Sequence, residues 1–186
     1  MDRKIKIKAV ISDFDDTMFN ASTIEHLFAT KAKSPERKHL FRLGSELALA
    51  DGFRELMNTL RDKGIPFSIL TNNRKDFLNH MCKVHNLDCF DLNTRLGHFA
   101  KYPCRFVPKH IRLQETYDLL LQQYPDLKRE EILYIGDSAN DAAETKMFGG
   151  MSGACMWFSR QKETLLDSEH VDYVFEKPLD VLKLVA

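Results

Sequence analysis

The 186-residue sequence lacks an excess of charge of either sign, since 27 lysines and arginines face 27 aspartates and glutamates. It has no net field to attract nucleic acid or an anionic membrane. Cysteine is sparse. The four present, Cys82, Cys89, Cys104 and Cys155, have no C-x-x-C spacing and no paired histidines at zinc-site intervals, so the expected reading is buried free thiols in a reducing cytosol. No apolar run approaches membrane-spanning length and no signal peptide opens the chain. The expectation is a cytoplasmic protein without nucleic-acid or membrane partners, and nothing indicates an oligomer. Internal repeats, low-complexity tracts and Pro/Gly/Ser-rich linkers are missing too. What remains has an ordinary globular composition, with 44% hydrophobic residues to fill one core, and a length that suits one domain plus a modest insertion.

A strand followed by a helix is the recurring unit. Ala9-Val10-Ile11-Ser12 is a short apolar run ending at Asp13, as expected of a buried strand. Phe53, Leu56, Met57 and Leu60 mark one helical face, and Lys63-Gly64 closes it. Pro66–Leu70 predicts a second strand ending at Thr71, followed by a helix over about 74–85 with Phe77, Met81 and Val84 inward. Cys89–Leu92 predicts a third strand, and a helix over about 112–124 carries Leu113, Tyr117 and Leu120. Ile132–Ile135 is a fourth strand ending at Gly136-Asp137. Ala154–Trp157 and Val171–Val174 suggest two more. This alternation predicts an α/β fold: a doubly wound, mostly parallel sheet with helices on both faces. In such sheets ligands bind outside the carboxyl ends of the strands, where Asp13, Thr71 and Asp137 fall.

One segment breaks the rhythm. Residues 18–50 carry helical patterning of their own, with a capping box at Ser22-Thr23-Ile24-Glu25 ahead of Leu27 and Phe28. Ser34-Pro35 opens a second helix bearing Leu40, Phe41, Leu43 and Leu47, ended by Asp51-Gly52. The expected division is a core of residues 1–17 and 51–186 with a small two-helix cap, 18–50, inserted after the first strand.

Two acidic strings follow buried strands. Asp13-Phe14-Asp15-Asp16-Thr17 places carboxylates at i and i+2, able to converge on one small volume. Gly136-Asp137-Ser138-Ala139-Asn140-Asp141 places two carboxylates four apart, so that one could ligate a metal while the other supports it. Each string alone also fits a turn or helix cap, and Thr71 and Lys109 alone fit structural or solvated roles.

Taken together and in this order, these pieces resemble the haloacid dehalogenase superfamily of phosphatases, within it the phosphoglycolate phosphatase-like branch. The first motif, D-x-D-x-T/V, matches Asp13, Asp15 and Thr17, and the second matches Thr71. The third, a lysine opening a helix, matches Lys109, with Lys101 a less well spaced competitor, and the fourth, G-D-x-x-x-D, matches Gly136, Asp137 and Asp141. The usual Lys-Pro is Lys-His here. The resemblance implies a small phosphorylated substrate and a Mg²⁺ cofactor held by Asp13, Asp137, the Asp15 carbonyl and, directly or through a neighbour, Asp141. It implies Asp13 as nucleophile, Asp15 as acid/base, and Thr71, the Asn72 N–H and Lys109 as phosphate-binding groups. Asp16 is expected to be solvated. A phosphotransferase or mutase of the same superfamily is the alternative enzyme. A phosphoacceptor module similar to a response-regulator receiver is the alternative from another class, although there the lysine follows the other functional residues. A non-catalytic relative used for binding is disfavoured by four intact motifs.

Overall fold

The computed structural model describes residues 6–27, 35–87, 96–98 and 107–185. Six strands form one sheet in the order β3-β2-β1-β4-β5-β6, every neighbouring pair parallel. They are β1 Ala9–Ser12, β2 Phe67–Arg74, β3 Leu96–His98, β4 Ile132–Gly136, β5 Met151–Cys155 and β6 Tyr173–Phe175. The helices are α1 Pro35–Glu46, α2 Phe53–Asp62, α3 Lys75–Val84, α4 Lys109–Leu121, α5 Ala139–Phe148 and α6 Lys162–Leu166.

The two-residue period of the strands sorts their side chains between two cores. Val10, Ile69, Leu133 and Ile135 join α2 and α3 on one face. Ala9, Ile11, Ile132 and Tyr134 join Leu113 and Leu120 of α4 and Phe148 of α5 on the other. The sheet is doubly wound, as expected. In α2 the spacing i, i+3, i+4, i+7 buries Phe53, Leu56, Met57 and Leu60 completely, each contributing about 1.5–3 kcal/mol of apolar transfer. The helix ends in a left-handed cap: Gly64 has φ +69°, its N–H donates to the Arg61 carbonyl, and the Ile65 N–H donates to the Leu60 carbonyl, both at 2.9 Å.

Several boundaries differ from expectation. β2 runs through Thr71 to Arg74, with a register irregularity against β3 between those residues. α4 opens at Lys109, directly after Pro108, three residues ahead of Arg112. Val84, the last residue of α3, is exposed rather than inward. β5 starts at Met151, because the turn-like Ser152-Gly153 is strand here: the Phe175 ring lies where a Gly153 side chain would be. The predicted strand at Cys89–Leu92 lies outside the described residues.

Within residues 18–50, Ser22 does not cap a helix. Its hydroxyl and N–H both donate to the Asn20 side chain, and Glu25–Leu27 form a single 3-10 turn. α1 begins at Pro35 as expected but stops at Glu46, and Gly52 (φ +77°) instead precedes α2. α1 packs on α3. Leu40 is fully buried, the Phe41 ring meets Phe77 edge-on at 5.8 Å, and Gly44 sits where a side chain would collide with Phe77.

Candidate active site

Pairing of adjacent strands places the acidic strings side by side. Ser12 of β1 is in register with Ile135 of β4 and Ile69 of β2, so Asp13, Asp137 and Thr71 meet at the carboxyl end of the sheet. The Asp13 N–H extends the ladder to the Ile135 carbonyl at 2.8 Å. The cap of α5 is Ser138, whose side chain accepts the Asp141 N–H. Asp137 and Asn140 are thereby relieved of capping. Gly136 has a distinct role, because a Cβ there would stand 2.6 Å from Asp141 Oδ2. Only glycine lets Asp141 lie across the strand end.

Carboxylate oxygens of Asp13, Asp137 and Asp141 lie within 4.8 Å of one another. Lys109 Nζ donates to Asp13 Oδ2 at 2.9 Å and also to Asp141 Oδ1, and it sits 5.4 Å from the centre of the Tyr134 ring. The start of α4 is tied to α5 by the His110 N–H, which donates to Glu144 at 2.9 Å. Lys101 lies outside the described residues.

Asp15 turns the other way. It accepts from the Thr71 hydroxyl and from Asn73 Nδ2, each at 3.2 Å, while the Asn73 N–H donates to Thr71 Oγ1. The Asp15 carboxylate is not in the three-carboxylate cluster. Asn73 was missed from sequence and Asn72 is exposed. The available signal was the i, i+2 spacing that carries Thr71 and Asn73 together along an extended strand. Asp16 is a correction: it is buried, at φ +52°, with Oδ1 accepting the Ala21 N–H at 2.8 Å and Oδ2 paired with Arg160 at 2.7 Å. An aspartate tolerates the left-handed conformation, and the distant arginine makes its burial affordable.

Burial dominates the electrostatics. It pushes Asp13 well above the carboxylate range, reinforced by Asp141, Asp137 and Asp15 and opposed by Lys109. Asp15 rises to about 6, again through burial, against the hydrogen bonds from Asn73 and Thr71. Asp137 rises to about 7 through burial and the charges of Asp141 and Asp16. Burial alone would lower Lys109, but Asp13 and Asp141 override it and hold the ammonium well above its usual range. With all three carboxylates ionised, one ammonium would leave surplus negative charge, each like pair costing roughly 3–4 kcal/mol at an effective dielectric of about 20. Burial and mutual repulsion therefore favour protons on Asp13 and Asp137 when no cation is bound. Hard oxygen donors so arranged suit a small divalent cation.

The family model for haloacid dehalogenase-like hydrolases matches residues 20–149. A curated protein of Caldanaerobacter subterraneus named "Putative pyrophosphatase PpaX" is 27% identical over 138 residues, covering 74% of this chain. The match spans 58% of that relative's length. Among solved structures, a haloacid dehalogenase-like family hydrolase from Streptococcus pneumoniae superposes with a TM-score of 0.68 at 21% identity, over 95% of this chain and 97% of its own. A predicted phosphoglycolate phosphatase from Haemophilus somnus does so with a TM-score of 0.63 at 16% identity, over 95% and 97%. Fold, motif order and family match agree: the chain belongs to the haloacid dehalogenase-like hydrolases.

Proposed function

We propose that the chain is a Mg²⁺-dependent phosphohydrolase that cleaves a small phosphate monoester through an aspartyl-phosphate on Asp13. The observation that carries this reading is the cluster of buried Asp13 and Asp141 and half-buried Asp137 around one lysine, with a separate, neutralisable Asp15 alongside. Asp13, Asp137 and Asp141, with the Asp15 main-chain carbonyl, would hold Mg²⁺. Bound there, it supplies the positive charge that lets a carboxylate and a phosphate dianion approach.

One Asp13 oxygen attacks phosphorus and the bond from phosphorus to the leaving oxygen breaks. Asp15, held by Thr71 and Asn73, gives its proton to that oxygen. The same carboxylate then takes a proton from water, whose oxygen attacks phosphorus and returns Asp13 with release of inorganic phosphate. A group near pH 6 can serve as acid and then as base at neutral pH. Lys109 and the Asn72 N–H hold the phosphate oxygens on which charge develops, and the Thr71 hydroxyl, whose one proton otherwise goes to Asp15, turns to them when phosphate binds.

Residues 18–50 act as a small cap on a core of 1–17 and 51–186. With one described helix of 12 residues, docked on α3, the cap covers the phosphate end of a substrate and leaves its far end in solvent. Discrimination among small phosphates is then shallow, with high KM values. Phosphate release from an aryl phosphate tests the function: it is expected with Mg²⁺ and lost in excess EDTA. Full turnover in EDTA, or none with any divalent cation, contradicts it.

A further inference from the structure

The turn after β5 carries three side chains that reach the walls of the site, none of them part of the proposed chemistry. Trp157 Nε1–H donates to the Thr17 carbonyl at 2.7 Å, gripping the loop that carries Asp13 and Asp15. Buried Ser159 donates its hydroxyl to the Asp137 carbonyl at 2.8 Å, gripping the facing acidic loop. Arg160 Nη2 bridges Asp16 at 2.7 Å and Glu25 at 2.9 Å, adding the inserted segment. Trp157 and Phe158 pack against the main core, so the turn is itself anchored.

We propose that this turn, residues 157–160, is a positioning strap that sets the separation of the two acidic loops and thereby the spacing of the Asp13 and Asp137 carboxylates. The physical basis is that the two loops follow adjacent parallel strands, and past Asp13 and Asp137 the sheet ladder no longer spaces them. Two carbonyl acceptors, one on each loop, are bridged by donors only two residues apart on a third element. Carboxylates brought together repel, so without a brace the loops relax apart. A divalent cation then meets carboxylates that must be re-gathered at each binding event, and affinity falls. Trp157, Ser159 and Arg160 act through the loops they hold and touch none of the reacting atoms.

The strap rests on the metal-dependent reading above, and calorimetric titration with MgCl₂ separates the two. The proteins are wild type, Trp157→Phe, Ser159→Ala and the double variant, each checked for a cooperative thermal melt. Trp157→Phe keeps an aromatic ring, though a smaller one, and deletes the N–H, and Ser159→Ala removes one oxygen. Each single variant is expected to weaken Mg²⁺ binding by about 10- to 100-fold, the usual scale for groups that orient ligands. If one spacing is being held, cutting either grip releases it, so the double variant should be little weaker than the weaker single one. Independent defects would multiply instead. Single variants within about twofold of a Mg²⁺-binding wild type, or effects that multiply, overturn the strap. A wild type that binds no Mg²⁺ overturns the metal-dependent reading and the strap with it.

Discussion

The two ends of the sheet carry the same kinds of side chain in opposite circumstances. At the amino end, Lys6, Lys8, Lys63 and Asp126 line an open cleft of about 590 Å³ with Tyr124 and Pro66. Lys8 pairs with Glu131 at 2.7 Å, yet its side chain stays 53% exposed. At the carboxyl end, Lys109 and Asp13 pair at 2.9 Å with 5% and 10% of their side chains exposed. The distances are similar and the energetics are not. Water screens the first pair to at most about 1 kcal/mol. Desolvation makes the second sensitive to every neighbouring charge, and sensitivity of that kind is what a catalytic carboxylate needs.

The largest expected difference between the ends is in turnover. Asp13→Asn should keep the fold and lower phosphate release by several orders of magnitude, as removal of a nucleophile does. Lys8→Met should leave turnover unchanged. Steady-state assay of both on an aryl phosphate measures the contrast, and comparable activities would erase it.

Next comes the acid/base. Asp15→Asn should slow dephosphorylation by about 10²–10⁴-fold. With an alkyl phosphate, whose leaving oxygen needs a proton, wild-type kcat should fall as pH rises past about 6, because Asp15 loses that proton. With a good aryl leaving group the fall should be shallower. Identical pH profiles for the two substrates would remove Asp15 from the first step.

The same comparison can be made in stability. Lys109→Met strands two buried carboxylates and should cost about 3–5 kcal/mol at pH 8 in EDTA, whereas Lys8→Met should cost at most about 1 kcal/mol. Urea titrations of the two variants decide it, and equal costs would contradict the role given to burial.

The smallest effect is a pH slope of the metal-free protein. The folded values of Asp15 and Asp137 are raised, to about 6 and about 7. The folded state therefore binds more protons than the unfolded one between about pH 4 and 7. Stability from these groups is full below that window and is lost as pH rises through it. Melting temperature in EDTA should fall by several degrees from pH 5 to pH 8, and Asp137→Asn should flatten the slope.

The carboxyl end was the more legible in sequence because its signals are local. Ile11-Ser12-Asp13 and Ile135-Gly136-Asp137 each join a buried strand to an acid within a few residues. What was missed depends on distance along the chain. Nothing near Asp16 shows that Arg160, 144 positions away, will bury it. Nothing near Ser152-Gly153 shows that the Phe175 ring makes glycine necessary in β5. Asn73 was hidden because Thr71-Asn72-Asn73 is too polar to read as strand, although pairing with β3 at Thr71 and Arg74 carries β2 past it. Residues 18–50 were legible only in part: Pro35 opened α1, but the Asn20 side chain takes the Ser22 hydroxyl and N–H and overrode the apparent capping box there.

The central claim is that Asp13 carries the phosphoryl group, and direct trapping tests it. Asp15→Asn protein is mixed with an aryl phosphate and Mg²⁺, quenched in acid within one turnover, and digested for peptide mass spectrometry. The account predicts a phosphoryl adduct on Asp13, more abundant than in wild type and absent from Asp13→Asn. Continued phosphate release with no adduct on Asp13 would contradict it.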